Sequence, residues 1–482
     1  MSNRIRDLVI VGAGISGIGT AYWLKRKCPK KDFTILEARD SMGGTWSLFK
    51  YPGIRSDSDM FTFGYRFKPW NNPQSISSGE NILEYLRETA TDAGIDEHIK
   101  FGHKMISANW SDESRTWSLN VRTPKGEEEI VCKFLSICTG YYDYHEAHRP
   151  PFKGEENFKG KIVVPQFWSK DLNYSGKKMA VVGSGATAVT LVPSLVESGA
   201  LHVTMVQRSP TYIMNLPNRN KLFMGLKKVL PGKWAYRLTR WKNISLQMIS
   251  FGLSKLFPKA MKRLLINAAA KDLPDNYPVE KHFNPRYNPW EQRLCVVPDG
   301  DLFRVIKAGK ATVNTGAISH FTESGLIMES GDEIAADIVV LATGLKMQLL
   351  GGASISVNGT PALFKDAMIY KGMMVSDLPN FIYAFGYTNA SWTLKVDLTA
   401  NYLCKLLNYM DRKGYEVVTP QRENLESDDD FLNLSSGYIK RAKKILPKQG
   451  KRRPWRVYQN YLVDMLATRF GRVKDRVLKF ER

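Results

Sequence analysis

The run Asp7-Leu8-Val9-Ile10-Val11-Gly12-Ala13-Gly14-Ile15-Ser16-Gly17 decides the fold of this 482-residue chain. Its apolar half predicts a buried strand, its glycines a tight turn, and the residues up to Leu24 a helix. Glycine at positions 12, 14 and 17 permits the turn, lets the backbone approach a pyrophosphate, and lets the helix pack closely on the strand. The helix N-terminus adds free N–H groups and a positive dipole end, both suited to phosphate. A second apolar strand, Phe33–Leu36, ends in Glu37, 20 residues after Gly17, where a carboxylate suits a ribose hydroxyl. The stretch therefore predicts a dinucleotide-binding unit.

The same device recurs 171 residues after Gly12. There Met179–Val182 runs into Gly183-Ser184-Gly185-Ala186-Thr187-Ala188, with alanine replacing the third glycine. The following strand, His202–Val206, ends in Gln207-Arg208 instead of an acid. Nothing there repels a 2′-phosphate, and Arg208 suits one. An acid in the first unit and an arginine in the second predict two different dinucleotides, FAD and NADPH, and electron transfer from nicotinamide to flavin. Ile137-Cys138-Thr139-Gly140 and Leu341-Ala342-Thr343-Gly344 each follow an apolar run and read as crossovers between the two units.

The expected fold is α/β: two Rossmann-like dinucleotide-binding domains, the NADPH domain inserted in the FAD domain. The boundaries are placed at 1–150 for the first part of the FAD domain and 151–345 for the NADPH domain. A basic helical insertion is expected at about 219–285, and 346–482 forms the second part of the FAD domain with a basic tail.

Charge is the unusual feature of the composition. There are 69 Lys+Arg against 47 Asp+Glu, a net of +22. Between Arg219 and Lys271 stand 13 basic residues and no acid; between Lys440 and Arg482, 15 basic residues and 3 acids. The other 386 residues carry 41 basic and 44 acidic groups, so the body is near neutral. No finger, homeodomain or RNA-sheet signature accompanies the charge, and no nucleic-acid partner is expected. Trp241, Ile244, Met248 and Phe251 recur at helical spacing within the first basic segment, and Trp455, Tyr458 and Leu462 in the second. Two roles follow for such faces: packing on the body, or peripheral contact with an anionic membrane through 219–271 and 440–482. No secretory leader is visible, no apolar stretch reaches the ~18 residues of a membrane span, and the five scattered cysteines lack any CxxC. The expectation is a cytoplasmic enzyme without a metal site, peripheral to membrane at most.

Three kinds of FAD- and NADPH-dependent enzyme fit this plan: dithiol–disulfide reductases, N-hydroxylases and oxygenating monooxygenases. The cysteine spacing removes the first. Gly44-Thr45-Trp46-Ser47-Leu48-Phe49-Lys50-Tyr51-Pro52-Gly53-Ile54-Arg55-Ser56-Asp57 matches every fixed position of GxWxxxx[FY]P[GM]xxxD. The chain thereby resembles the type I Baeyer–Villiger flavin monooxygenases. It is similar nearly from end to end to their ethionamide-activating branch, through SMGGTWSLFKYPGIRSDSDM, VTMVQRSPTYI, NPWEQRLCVVPDGDLFR and GYTNASWTLK among other stretches.

The resemblance implies insertion of one oxygen of O₂ beside a ketone carbonyl, with S-oxygenation of thioethers or thioamides. It implies Arg293, in Gln292-Arg293-Leu294-Cys295, as the fixed cation that holds developing negative charge, a role worth roughly 3–4 kcal/mol. By the same resemblance Asp57 orients Arg293, and Arg55 and Ser56 lie beside the nicotinamide nucleotide. Ser16, Glu37, Gly44, Thr45, Trp46, Ser47, Leu48 and the Met105 backbone contact FAD. Ser184, Gly185, Ala186, Thr187, Gln207 and Arg208 contact NADPH, and Gln292 stands where several relatives have a second basic residue. One segment departs from the family pattern. Phe158–Ser169 keeps the Phe, Gly and Trp of FxGxxxHxxxW, but Val164 replaces the histidine and Ser169 the following Pro or Asp. Valine offers no side-chain hydrogen bond, so weak oxygenation or an uncoupled NADPH oxidase is the alternative expectation.

Overall fold

The computed structural model describes residues 4–422, 429–432 and 435–482. Strand Arg6–Val11 lies between Phe33–Glu37 and Gly126–Ile137, parallel to both. Its last four residues are buried, as a strand covered on both faces requires, which explains the unbroken apolar run. The sheet around it has nine strands. From one edge they run Thr360–Pro361, Ser354–Val357, Lys104–Ser111, Thr116–Thr123, Gly126–Ile137, Arg6–Val11, Phe33–Glu37 and Ile99–Phe101, with Phe381–Tyr383 also paired to Gly126–Ile137.

The second sheet has five strands, all parallel, in the order Ala311–Thr315, His202–Gln207, Lys178–Val182, Ile338–Leu341 and Lys161–Val163. Residues on both sides of it in sequence complete the first sheet. The chain thus leaves the first sheet and later returns to it. The two connecting segments, Tyr142–Ala147 and Leu345–Met347, pair antiparallel.

The two glycine loops meet their crossovers in the same way. Gly12 has φ +104°, and a Cβ there would lie 2.7 Å from the Cys138 carbonyl oxygen. Gly183 has φ +144°, and a Cβ would lie 2.4 Å from the Ala342 carbonyl oxygen. Only glycine accepts both the dihedral and the approach. Each crossover motif therefore passes directly against one of the glycine loops.

The insertion folds as helices Lys221–Val229, Gly232–Leu256, Pro258–Asp272 and Val279–His282. Ile244 is buried with Tyr387, Leu394, Leu398 and Tyr461, and Met248 packs on that cluster. Phe251 packs on Trp290 at 5.7 Å between ring centroids. Trp241, also on this helix, is 44% exposed.

The tail differs from the expectation. Trp455 and Tyr458 precede the helix Tyr461–Arg469 and share no helical face with Leu462. The helix starts where Asn460 accepts a hydrogen bond from the Val463 N–H, a cap that places the boundary after Trp455. Trp455 is 1% exposed and meets Tyr370 edge-on at 5.9 Å. The last strand, Leu478–Glu481, pairs with Val417–Pro420. Arg456 and Lys443 are ion-paired with Asp429 and Asp430. The tail is anchored in the body although Tyr458, Leu462, Leu466 and Phe470 stay exposed, and all five cysteines are buried free thiols. Trp455→Ala should lower stability by about 3–5 kcal/mol in denaturant titration; an unchanged midpoint would mean the tail is not integral.

Candidate active site

One cavity of about 1400 Å³ is lined by both glycine loops. That is more than the ~300–1,000 Å³ that holds one drug-sized ligand. Helices Ile15–Lys27 and Ala186–Glu197 begin after Gly14 and Gly185, with no side-chain cap and no acid in the first turn. Their leading N–H groups are left for a ligand, and phosphate is the ligand they suit. A Cβ at Gly185 or Gly140 would meet nothing within 4 Å, so the second loop and the first crossover border open space. The donors and the space fit two dinucleotides.

On the first loop, Gly12, Gly14, Ser16, Glu37, Gly44, Thr45, Trp46, Leu48 and Met105 line the cavity. Gly17 lies beneath the turn, where a Cβ would fall 1.9 Å from the Gly12 carbonyl oxygen. Glu37 is tied by the turn itself, accepting from the Ala13 N–H at 2.8 Å and the Arg39 N–H at 3.0 Å. Burial still raises its pKa above the usual carboxylate value. Ser16 accepts from the Trp392 indole at 2.9 Å. Ser47 lies outside the lining and accepts from Arg39 at 2.6 Å.

The 44–57 segment joins the two sheets. Phe49 and Tyr51 are buried in the core that packs on the second sheet, with Met179, Val189 and Leu191. Thr187, from the second glycine loop, lies beside the buried Tyr51 hydroxyl. Arg55 is ion-paired with Asp301, both side chains about one-tenth exposed, and its other terminal nitrogen reaches the Val296 carbonyl at 3.4 Å. Asp301 opens the helix Asp301–Lys307 and accepts the Leu302 N–H through its other oxygen at 2.8 Å. Sequence reasoning missed Asp301; its signal was an acid at a helix start inside a stretch quoted only for its likeness.

Arg293, Asp57, Arg55 and Ser56 all line the same cavity. Arg293 is exposed and forms part of the cavity wall. Its guanidinium donates to the Tyr141 hydroxyl at 3.3 Å. Tyr141, then Tyr438, Tyr142 and Asp57, push its pKa above the arginine value against the opposing effect of burial, so it stays charged. Asp57 lies within electrostatic reach of Arg293 but makes no ion pair within 4.0 Å of it among the described residues. The hydrogen-bond partner of Arg293 is instead Tyr141, which directly follows the first crossover motif and packs on Trp392 at 5.2 Å. Burial pushes the Asp57 pKa up to about 6 against the opposing pull of Arg55 and Arg293.

On the second loop, Ser184, Gly185, Ala186 and Thr187 line the cavity, while Gly183 and Ala188 lie beneath. Gln207 turns inward, 1% exposed, donating to the His282 carbonyl and to Thr315. Arg208 is exposed at the strand end and outside the lining. Gln292 is part of the lining. Val164 is half-buried after strand Lys161–Val163 and makes no side-chain bond. Two residues on, the buried Gln166 donates to the Asp143 carbonyl at 2.8 Å. That bond ties the departing segment to the connecting ribbon.

Residues 6–378 match the family described as Flavin-binding monooxygenase-like. The chain belongs to this flavin-binding monooxygenase-like family. It is 50% identical over 475 residues to the FAD-containing monooxygenase EthA of Mycolicibacterium smegmatis, covering 98% of this monooxygenase and 96% of that one. The EthA of Mycobacterium tuberculosis is 49% identical, covering 98% and 97%. A probable FAD-binding monooxygenase AlmA of Acinetobacter baylyi is 47% identical, covering 99% and 96%. Among solved structures, oxidized steroid monooxygenase bound to NADP shares the fold at TM-score 0.78 and 20% identity, covering 99% and 100%. Cyclohexanone monooxygenase bound to ε-caprolactone does so at 0.74 and 18%, covering 99% and 100%.

The Asp57 environment gives the monooxygenase a pH signature. Its folded pKa of about 6 lies above the ordinary 3.8. The folded state therefore holds the proton more tightly, and stability falls as pH rises from about 4 to about 6. Asp57→Asn should flatten that slope in Tm measured from pH 4 to 8. It should also abolish an acid limb near pH 6 in kcat/KM; an unchanged limb would assign the titration elsewhere.

Proposed function

We propose that this monooxygenase binds FAD and NADPH in the shared cavity and inserts one oxygen of O₂ beside a ketone carbonyl, forming an ester or lactone. The observation that carries the reading is a permanently charged Arg293 opening into a cavity framed by two dinucleotide loops. The EthA relatives and the steroid and cyclohexanone monooxygenase fold support it. Linear or aryl ketones are the proposed substrates, with thioethers or thioamides S-oxygenated at the same site.

FAD, when bound, supplies the hydride acceptor and the carrier that activates O₂. The loop at Gly12, Gly14 and Gly17 with the Ile15–Lys27 helix end would hold its pyrophosphate, and Glu37 would meet its ribose. The loop at Gly183–Ala188 would hold the NADPH pyrophosphate. Arg208, with no carboxylate partner among the described residues, is free for the 2′-phosphate. Arg55, fixed by Asp301, would stand beside the nicotinamide. Arg293 balances negative charge that builds on the reacting oxygens, and Tyr141 holds the guanidinium in place. Asp57, ionised above pH 6, sets the local charge opposite Arg293.

Arg293→Ala should retain FAD and its reduction by NADPH while ester formation falls roughly 10²–10³-fold. Ester made at the parent rate would overturn the assignment. The second reading, partial uncoupling, rests on Val164, which offers no bond where relatives have histidine. Val164→His should raise product formed per NADPH consumed. No change would mean that Gln166, through its bond to Asp143, already supplies the link.

A further inference from the structure

The insertion helix Gly232–Leu256 has two apolar faces. One is buried and fixed. Arg240, 4% exposed, donates to the carbonyls of Phe61, Thr62 and Gly64 at 2.7–3.1 Å, and the Tyr236 hydroxyl donates to the Tyr65 carbonyl at 3.0 Å. Asn243 and Gln247 each donate to Asp59 at 2.9 Å. The helix therefore cannot roll to hide its other side. On that side Trp234, Leu238, Trp241, Ile249, Leu253 and Leu256 recur at spacings of three, four and eight, one continuous stripe, each more than two-fifths exposed. Among the described residues, 12 of the 22 exposed large hydrophobics lie between Leu222 and Leu264.

A stripe of this size marks an interaction surface, and its charge selects the partner. Lys233, Arg237, Lys242 and Lys255 flank it, and the whole 219–271 segment contains no acid. A second copy seated by a two-fold axis would press like charge on like charge. An anionic bilayer offers both what the stripe lacks and what the lysines lack: an apolar interior and negative headgroups. The patch is also continuous with the reaction cavity, since Leu222 and Leu246 are exposed and line it, with Lys242 beside them. No described helix is long and apolar enough to cross a membrane, so the contact is in-plane.

We propose that helices Lys221–Val229 and Gly232–Leu256 dock the enzyme on anionic lipid, with the cavity opening on the docked face so that apolar substrates enter from the bilayer. The basic tail is held in the body through Trp455, while Tyr458, Leu462, Leu466 and Phe470 stay exposed on it; docking is assigned to the insertion helices because the exposed apolar residues are concentrated there. The route for substrate rests on the reaction proposed above. Docking does not, and the vesicle experiment separates the two.

The test is sedimentation of the FAD-loaded full chain with vesicles of phosphatidylcholine alone and of phosphatidylcholine with phosphatidylglycerol, at low and high salt. Binding is expected to the anionic vesicles at low salt, with a blue shift of tryptophan fluorescence from Trp234 and Trp241. Trp234→Glu/Leu253→Glu/Leu256→Glu should abolish it while NADPH oxidation with a short water-soluble ketone is unchanged. Should that variant misfold, Lys233→Gln/Arg237→Gln/Lys255→Gln keeps the apolar face and should weaken binding by roughly 100-fold. Absence of binding to anionic vesicles, or binding untouched in either folded variant, would overturn the proposal. So would light scattering that shows a dimer which the glutamate variant splits, since the stripe would then be a self-interface.

Discussion

The arrangement of this enzyme depends on the ion pair between Arg55 and Asp301. Arg55 belongs to a segment that leaves the first glycine loop; Asp301 opens a helix that packs on the second sheet. With both side chains about one-tenth exposed, neither charge is served by bulk water. Losing one partner would strand the other, a far larger effect than losing a surface pair. The pair therefore fixes how one loop is presented to the other. Phe49 and Tyr51 reinforce it by sharing the second core, and the paired connecting segments limit how far the sheets can part.

That constraint also explains the electrostatics of the cavity. Arg55 sits near both Asp57 and Asp301, and Arg293 adds a second cation near Asp57. Burial nonetheless wins at Asp57, raising its pKa to about 6, while Arg293 remains charged throughout. The result is a site with one cation fixed by a tyrosine and one carboxylate that titrates. A permanent positive charge near a cavity wide enough for two dinucleotides is what oxygen transfer to a carbonyl needs.

Much of this was legible in the chain because the relevant signals are local. Glycines at 12, 14, 17, 183 and 185 state a backbone geometry that few alternatives share, and the apolar runs before them state parallel strands. Arg293 and Asp57 were legible through flanking motifs. Their relation was not, because a hydrogen bond from Arg293 to Tyr141 depends on two segments 152 residues apart. Asp301 was hidden for the same reason. Gln207 was a nucleotide contact only by the family resemblance; strand alternation and the His282 carbonyl turn its side chain inward. The tail misled in a different way: its spacing of Trp455, Tyr458 and Leu462 mimicked a helix that a cap at Asn460 starts too late to include. The net charge of +22 resolved similarly, since one basic segment is an exposed platform and the other is a terminus anchored through the buried Trp455, Val477 and Leu478.

The most direct test of the account is the rate at which NADPH bleaches the flavin absorbance of the FAD-loaded enzyme in anaerobic stopped flow, compared between the parent and Asp301→Asn. Asp301 lies outside the cavity lining; it holds Arg55 through one oxygen and accepts the Leu302 N–H through the other, a bond that an asparagine oxygen can keep. The account predicts unchanged FAD content and a bleaching rate lower by roughly 10–100-fold, the worth of one charged hydrogen bond. Bleaching at the parent rate with Arg55 released would contradict it.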